Sequence, residues 1–304
     1  MNLTRRQFLA QAATASLASC TSLPFGKGGS IDAHVHVWTP DTTAYPLAPG
    51  FTKEGMKPAS FTPEQLFAHC RPEGVDRIVL IQMSYYATDN RYMLDMISKH
   101  RGTFRGVAIV DESKPDVAAT MKSLAAKGVR GFRITPGKLA LDAWLGSEGM
   151  GTMWKTGAEQ NLAMCGLVNP EALPLIDKMC ERYPDTPVVI DHFARLGMAG
   201  AIKEKELHDL CRLARHENVY VKTSAFYALG EKKAPYLDLA PMIRRVRDAF
   251  GASRLMWASD CPFQVDPGHN YHDSIALIRD RLDFLTSDDK AWMLRGTAEK
   301  VFFS

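Results

Sequence analysis

The sequence predicts a single-domain α/β fold, a closed (β/α)8 or TIM barrel, on three observations. Eight short apolar runs alternate with amphipathic helical stretches from residue 31 to the C-terminus. The runs are continuously apolar, as strands covered on both faces of a parallel sheet are. Eight such units in roughly 270 residues match the usual size of the closed barrel. No Gly-x-Gly-x-x-Gly turn follows any strand, which argues against a doubly wound open sheet.

The strands are predicted at residues 31–38, 77–82, 105–110, 128–134, 162–168, 187–191, 219–223 and 255–259. Helices are predicted at 62–70, 90–100, 115–127, 151–160, 170–183, 205–215 and 235–250, with 271–283 and 287–301 closing the chain. Thr62-Pro63-Glu64-Gln65 reads as a cap followed by proline at the first helical position, and Asn169-Pro170-Glu171 repeats that pattern. The sequence shows no internal repeat.

Residues 1–29 precede the predicted domain at 30–304. Thr4-Arg5-Arg6-Gln7-Phe8-Leu9 matches a twin-arginine export signal. The weakly apolar stretch that follows, ending near Ala18, is shorter than the ~20 residues a membrane span needs. Leu17-Ala18-Ser19-Cys20 resembles a bacterial lipobox, so a lipid anchor at Cys20 and simple cleavage both stay open. The leader predicts passage through the twin-arginine machinery to the periplasm.

The chain has 304 residues, 46% hydrophobic and 23% charged, an ordinary globular balance. Its net charge of +3 includes Arg5 and Arg6 of the leader. The densest basic run, Arg244, Arg245 and Arg247, reads as one exposed helix face, which speaks against nucleic acid as a partner. None of the six cysteines forms a Cys-x-x-Cys pair, and the five that remain without Cys20 are expected as mostly buried free thiols.

In such a barrel, chemistry gathers at the C-terminal ends of the strands. Strand one carries Asp32-Ala33-His34-Val35-His36, where His34 and His36 share one side and are expected to face inward. Strand six ends at Asp191-His192, and strand eight at Ser259-Asp260-Cys261-Pro262. Packed histidines and helix caps are the structural alternatives, but two imidazoles buried side by side without a partner are costly. Arg130 and Arg133 on strand four offer guanidiniums able to clamp a carboxylate, with Arg133 the one expected to point inward. Ser84, Tyr85 and Tyr86 follow strand two and are expected to line the pocket. Tyr45, His269 and Asn270 are further loop candidates.

The run Ile31-Asp32-Ala33-His34-Val35-His36-Val37-Trp38, then Val189-Ile190-Asp191-His192, then Met256-Trp257-Ala258-Ser259-Asp260-Cys261-Pro262-Phe263, resembles the amidohydrolase-related family, also called amidohydrolase family 2. The segment Gln82 to Asn90, with Phe104-Arg105-Gly106-Val107 and Gly128 to Arg133, is similar to its lactonase branch. That branch includes 2-pyrone-4,6-dicarboxylate hydrolase and the sugar and muconolactone hydrolases. The resemblance implies that His34, His36 and His192 polarise a carbonyl or hold a metal. It implies that Asp260 takes a proton from water and passes it to the leaving oxygen. It implies substrate contacts for Ser84 and Tyr227. The dicarboxylate hydrolase carries an arginine near Tyr227, where this chain has Phe226-Tyr227-Ala228, so a different substrate is expected.

Two-metal relatives use a lysine on strand four and a histidine on strand five, and neither run here carries one; Lys138 lies beyond strand four. The expectation is therefore either one divalent ion such as zinc, on His34, His36 and Asp260 with or without His192, or none. The function expected is opening of a small lactone or similar ester. Metal-dependent decarboxylation and a non-catalytic periplasmic binding lipoprotein are the alternatives.

Overall fold

The computed structural model describes residues 28–136 and 140–304, so the leader with Arg5, Arg6 and Cys20, and also Lys138, lie outside the described residues. Eight parallel strands follow one another around the sheet in chain order. They are β1 (Ser30–Val35), β2 (Val75–Ile81), β3 (Phe104–Ala108), β4 (Val129–Ile134), β5 (Ala163–Gly166), β6 (Val188–Ile190), β7 (Val219–Thr223) and β8 (Leu255–Trp257). Helices Pro63–Cys70, Arg91–Lys99, Val117–Ala125, Glu148–Gln160, Leu173–Arg182, Glu204–Arg212 and Ala240–Phe250 connect them on the outside. The predicted (β/α)8 barrel is the fold observed.

The seam between β8 and β1 is where the barrel shuts. Val35 bridges Cys261 in parallel. The Asp260 amide donates to His34 O at 2.9 Å, and the His36 amide donates to Cys261 O at 2.8 Å. The buried Asp32 carboxylate rivets the seam from behind. It accepts the amides of Ser259 at 2.9 Å and His34 at 3.2 Å, and the Tyr271 hydroxyl at 2.7 Å. Burial pushes its pKa up to about 6 against those three donors.

Apolar side chains fill two layers. Leu66, Phe104, Phe132, Trp154 and Ile243 pack between sheet and helices. Ile31, Ala33, Val79, Val107, Val189 and Met256 fill the barrel interior, with Phe302 of the C-terminal segment against them. Each such fully buried aliphatic or aromatic side chain contributes about 1.5–3 kcal/mol. Thr62 caps its helix as predicted, in a reciprocal capping box with Gln65. Asn169 does not: it makes no cap bond, and Pro170–Ala172 forms a 3-10 turn before the helix Leu173–Arg182 begins. Cys70, Cys165, Cys180 and Cys261 are buried free thiols and Cys211 is half-buried. Among the described residues, no helix is long and apolar enough to cross a membrane.

Candidate active site

A bulge in β1 builds the first half of the site. Asp32 pairs with Ile78 and Val35 pairs with Leu80, so Ala33 and His34 together oppose Val79. Strict alternation from Ile31 and Ala33, both in the barrel interior, would turn His34 and His36 outward. The extra residue reverses the parity, and both imidazoles reach the mouth. His34 Nε2 and His36 Nε2 lie 3.2 Å apart.

Hydrogen bonds fix which nitrogens carry protons. His36 Nδ1 donates to Ile81 O at 3.0 Å, which leaves the His36 Nε2 lone pair facing the mouth. His34 Nδ1 lies 3.2 Å from Lys222 Nζ, whose ammonium donates to it. The proton of His34 is thus on Nε2 and points at His36 Nε2. Lys222 is fully buried on β7 and also pairs with the fully buried Asp191 at 2.9 Å. Burial would push the Asp191 carboxyl up, but Lys222 and His34 outweigh it and hold it well below the usual carboxylate range. Burial, then Lys222 and His192, push His34 well below the ordinary imidazole value, so it is neutral at pH 7.

His192 arrives on a strained turn. His192, Phe193 and Ala194 have φ of 52° and Arg195 has φ of 59°, four left-handed residues in succession. Each costs roughly 1–2 kcal/mol in this conformation, a strain of the kind that collects at functional sites. His192 and Arg195, at the two ends of this left-handed run, both line the same cavity. His192 Nδ1 lies 2.8 Å from Ser224 Oγ, and its Nε2 lies 3.7 Å from Asp260 Oδ2. A lone pair facing that carboxylate would be repelled, so Nε2 carries the proton and Ser224 donates to Nδ1. Burial holds the His192 pKa below its ordinary value.

Asp260 follows β8 in the left-handed region, with φ of 64°. Its Oδ1 lies 3.5 Å from both His34 Nε2 and His36 Nε2, and its Oδ2 accepts the Tyr227 hydroxyl at 2.7 Å. Burial would raise its pKa, but His192, His36 and His34 beside it hold it well below the usual carboxylate range. Burial and the Asp260 charge push the Tyr227 phenol far up, so it stays a donor. Arg133 completes the rim, with its Nε unpartnered and one terminal nitrogen 3.5 Å from Gln82 O. The cavity between these groups measures about 310 Å³, with Leu229 and Phe263 as apolar walls.

The structure thus gathers His34, His36, His192 and Asp260 in one place, with Tyr227 and Arg133 beside them. Four sequence expectations need correction. Arg130 lies near the N-terminal end of β4, and its guanidinium is used by the carbonyls of Ala125 and Val129, far from the strand's mouth end. Ser84 is exposed on a 3-10 turn and does not line the cavity. Tyr85 packs edge-on against Trp38, and its hydroxyl accepts the Lys57 amide at 3.2 Å. The buried Tyr86 is taken up likewise, by the Thr39 amide at 3.2 Å. Of the loop candidates, Tyr45 donates to Asp95, His269 bonds Tyr236, and Asn270 caps the helix Tyr271–Ala276. Sequence reasoning missed Lys222, Asp191 and Arg195. A lysine amid the apolar run Val219–Thr223 was the available signal.

One divalent ion fits this donor set. A tetrahedral ion with ~2.0–2.1 Å bonds sets its ligand atoms about 3.4 Å apart. His34 Nε2, His36 Nε2 and Asp260 Oδ1 form a triangle of 3.2, 3.5 and 3.5 Å. A proton now lies between the two imidazoles, so such an ion would displace it. A second cluster, His34, Asp191 and His192, already contains the Lys222 ammonium on Asp191.

Fold and site together define a (β/α)8-barrel protein with three imidazoles and a carboxylate gathered at the C-terminal ends of its strands. Comparison with known proteins gives the family. The amidohydrolase family profile matches residues 31–303, and the chain belongs to that family. The chain is 32% identical to L-fucono-1,5-lactonase of Burkholderia ambifaria over 280 residues, 88% of this chain and 93% of that protein. It is 30% identical to 2-pyrone-4,6-dicarboxylate hydrolase of Comamonas testosteroni, over 82% of each chain. A zinc-bound amidohydrolase structure from Burkholderia multivorans has the same fold, with a TM-score of 0.76 at 20% identity over 91% of this chain and 99% of that one. The protein is an enzyme, a hydrolase of the lactonase branch.

Proposed function

We propose that the protein opens a small lactone to its hydroxy acid, with water activated by Asp260. The observation that carries this is a buried carboxylate held charged among three imidazoles, at the floor of a cavity with inward-facing donors. Named relatives that hydrolyse lactones support the substrate class.

The lactone carbonyl oxygen accepts from His192 Nε2–H and the Arg133 guanidinium, which oppose the charge that grows there. Asp260 takes a proton from water, and the oxygen adds to the carbonyl carbon. The tetrahedral adduct collapses, the ring C–O bond breaks, and Asp260 returns the proton to the leaving alkoxide. A carboxylate with a depressed pKa is a weak base. It suits an activated ester, where donors to the oxyanion do most of the work, better than an amide. An ion on His34, His36 and Asp260 would supply Lewis-acid polarisation of the carbonyl.

The reading is tested on a panel of sugar and aromatic-acid lactones, with acid release followed by pH-stat in the presence and absence of a chelator. Hydroxy acid released at an unchanged rate under chelation is expected. Chelator-sensitive release of carbon dioxide from hydroxybenzoates would instead favour decarboxylation. Tight ligand binding without any turnover would favour a binding protein.

Tyr227→Phe gives a pH signature. The hydroxyl stabilises the ionised Asp260, so its loss raises the Asp260 pKa. Activity needs the carboxylate and is lost as pH falls through that value. The acid limb of kcat/KM should therefore move to higher pH by about one unit. A pH–rate profile with an unmoved acid limb would place Tyr227 outside the control of Asp260.

A further inference from the structure

Beside the reaction cavity lies a second hollow of about 280 Å³ that lactone opening itself does not use. The two share Arg195 and Met198. Met198, 51% exposed, lines both and forms the saddle between them.

The far side is polar and balanced in charge. Arg195, Lys203, Glu171 and Glu206 all line the hollow. These groups are already chained together. Arg195 donates to Asn169 Oδ1 at 3.1 Å, Asn169 Nδ2 donates to Glu171 at 3.1 Å, and Lys203 pairs with Glu206 at 2.9 Å. Asn169 stands where a helix cap is expected, yet its side chain serves this network and caps nothing. The left-handed turn that presents His192 to the reaction cavity also carries Arg195 to the boundary of the two hollows.

Such a lining selects among ligands. A charged arm of either sign gains no net attraction from a lining of two cations and two carboxylates. A wholly apolar arm would strand the polar groups it covers. An uncharged, hydroxyl-rich arm satisfies donors and acceptors alike. We propose that the reaction cavity continues past Met198 into this polar lobe, and that the preferred substrate is a sugar lactone bearing a second, uncharged sugar unit. The lactone ring lies against His192, Arg133 and Asp260. The second unit crosses Met198 and hydrogen-bonds with Asn169, Glu171 and Arg195. This inference rests on the lactonase reading and adds the length of the substrate to it.

The test compares glucono-1,5-lactone with cellobiono-1,5-lactone and maltobiono-1,5-lactone on the full protein. At least one disaccharide lactone should show a kcat/KM about tenfold above that of the single ring, mainly through KM, the value of one or two net hydrogen bonds. Glu171→Ala and, separately, Asn169→Ala should erase that preference and leave the glucono-1,5-lactone rate unchanged. Thermal melting serves as the check that both variants fold. Turnover of glucono-1,5-lactone at equal or higher kcat/KM than both disaccharide lactones would overturn the lobe and leave the lactonase reading standing. A preference that survives both variants would also overturn it. No turnover of any lactone, with no binding of the corresponding aldonic or aldobionic acids by calorimetric titration, would overturn both readings together.

Discussion

Asp260→Asn is expected to lower kcat for lactone opening by about 10³–10⁴-fold while KM stays within a few-fold of its starting value. The amide has the shape of the carboxylate but cannot take a proton from water. With the amide oxygen in the place of Oδ2, facing both Tyr227 and His192, His192 Nε2 still meets an acceptor and keeps its proton, so ground-state binding should persist. The fold should tolerate the change as well. The carboxylate lies buried at 5% exposure, and the amide removes a buried charge whose imidazole neighbours His34 and His192 are themselves neutral. Tyr227 can still donate, now to the amide oxygen. Steady-state kinetics on a purified variant with an unchanged melting curve decides the matter. A kcat within tenfold of the parent would remove Asp260 as the base, and His192 would then be the group to test.

The sequence made the four central residues legible because the fold itself is a focusing device. Strand ends separated by more than two hundred residues converge on one rim, so a polar residue that follows an apolar strand is marked by position alone. His192 and Asp260 follow β6 and β8 in that way. The pair His34 and His36 was readable as a pair, but its inward direction depends on the bulge opposite Val79, and alternation alone predicts the wrong face. Lys222 and Asp191 were opaque for another reason. Each makes sense only through a partner on a different strand, and a strand read by itself shows a charge with no place to go. Arg195 depends on four left-handed residues without a glycine among them, a backbone state that residue preferences argue against. Arg130 shows the opposite error: right residue type, right strand, wrong end. Ser84 and Tyr85 follow β2 as expected, but the 3-10 turn there gives Ser84 to solvent and Tyr85 to Trp38.

Lys222→Met should destabilise the protein by about 3–5 kcal/mol, the cost of leaving one member of a buried ion pair without the other. Methionine matches the length and much of the volume of the lysine stem, so packing against Phe302 is kept and the loss reports charge. Asp191 is then a fully buried carboxylate whose cationic partner is gone. Asp191→Asn added to Lys222→Met removes that charge too, and most of the stability should return. The double variant isolates the second role of Lys222. His34 Nδ1 has lost its donor, so nothing holds the His34 proton on Nε2 toward His36. Activity should stay low in a protein that folds normally, and the imidazole proton resonances should show a changed tautomer. The single variant carries a further signature. His34, Asp191 and His192 place ligand atoms within 4.8 Å of one another, and without the ammonium they form an anionic pocket open to a cation. Zinc should raise the unfolding midpoint of Lys222→Met through that pocket by mass action, and should do so less for the double variant. Denaturant unfolding of all three proteins checks each step. A single variant within about 0.5 kcal/mol of the parent, the range of an ordinary surface change, would mean that the Lys222–Asp191 pair does not hold the floor of the site together.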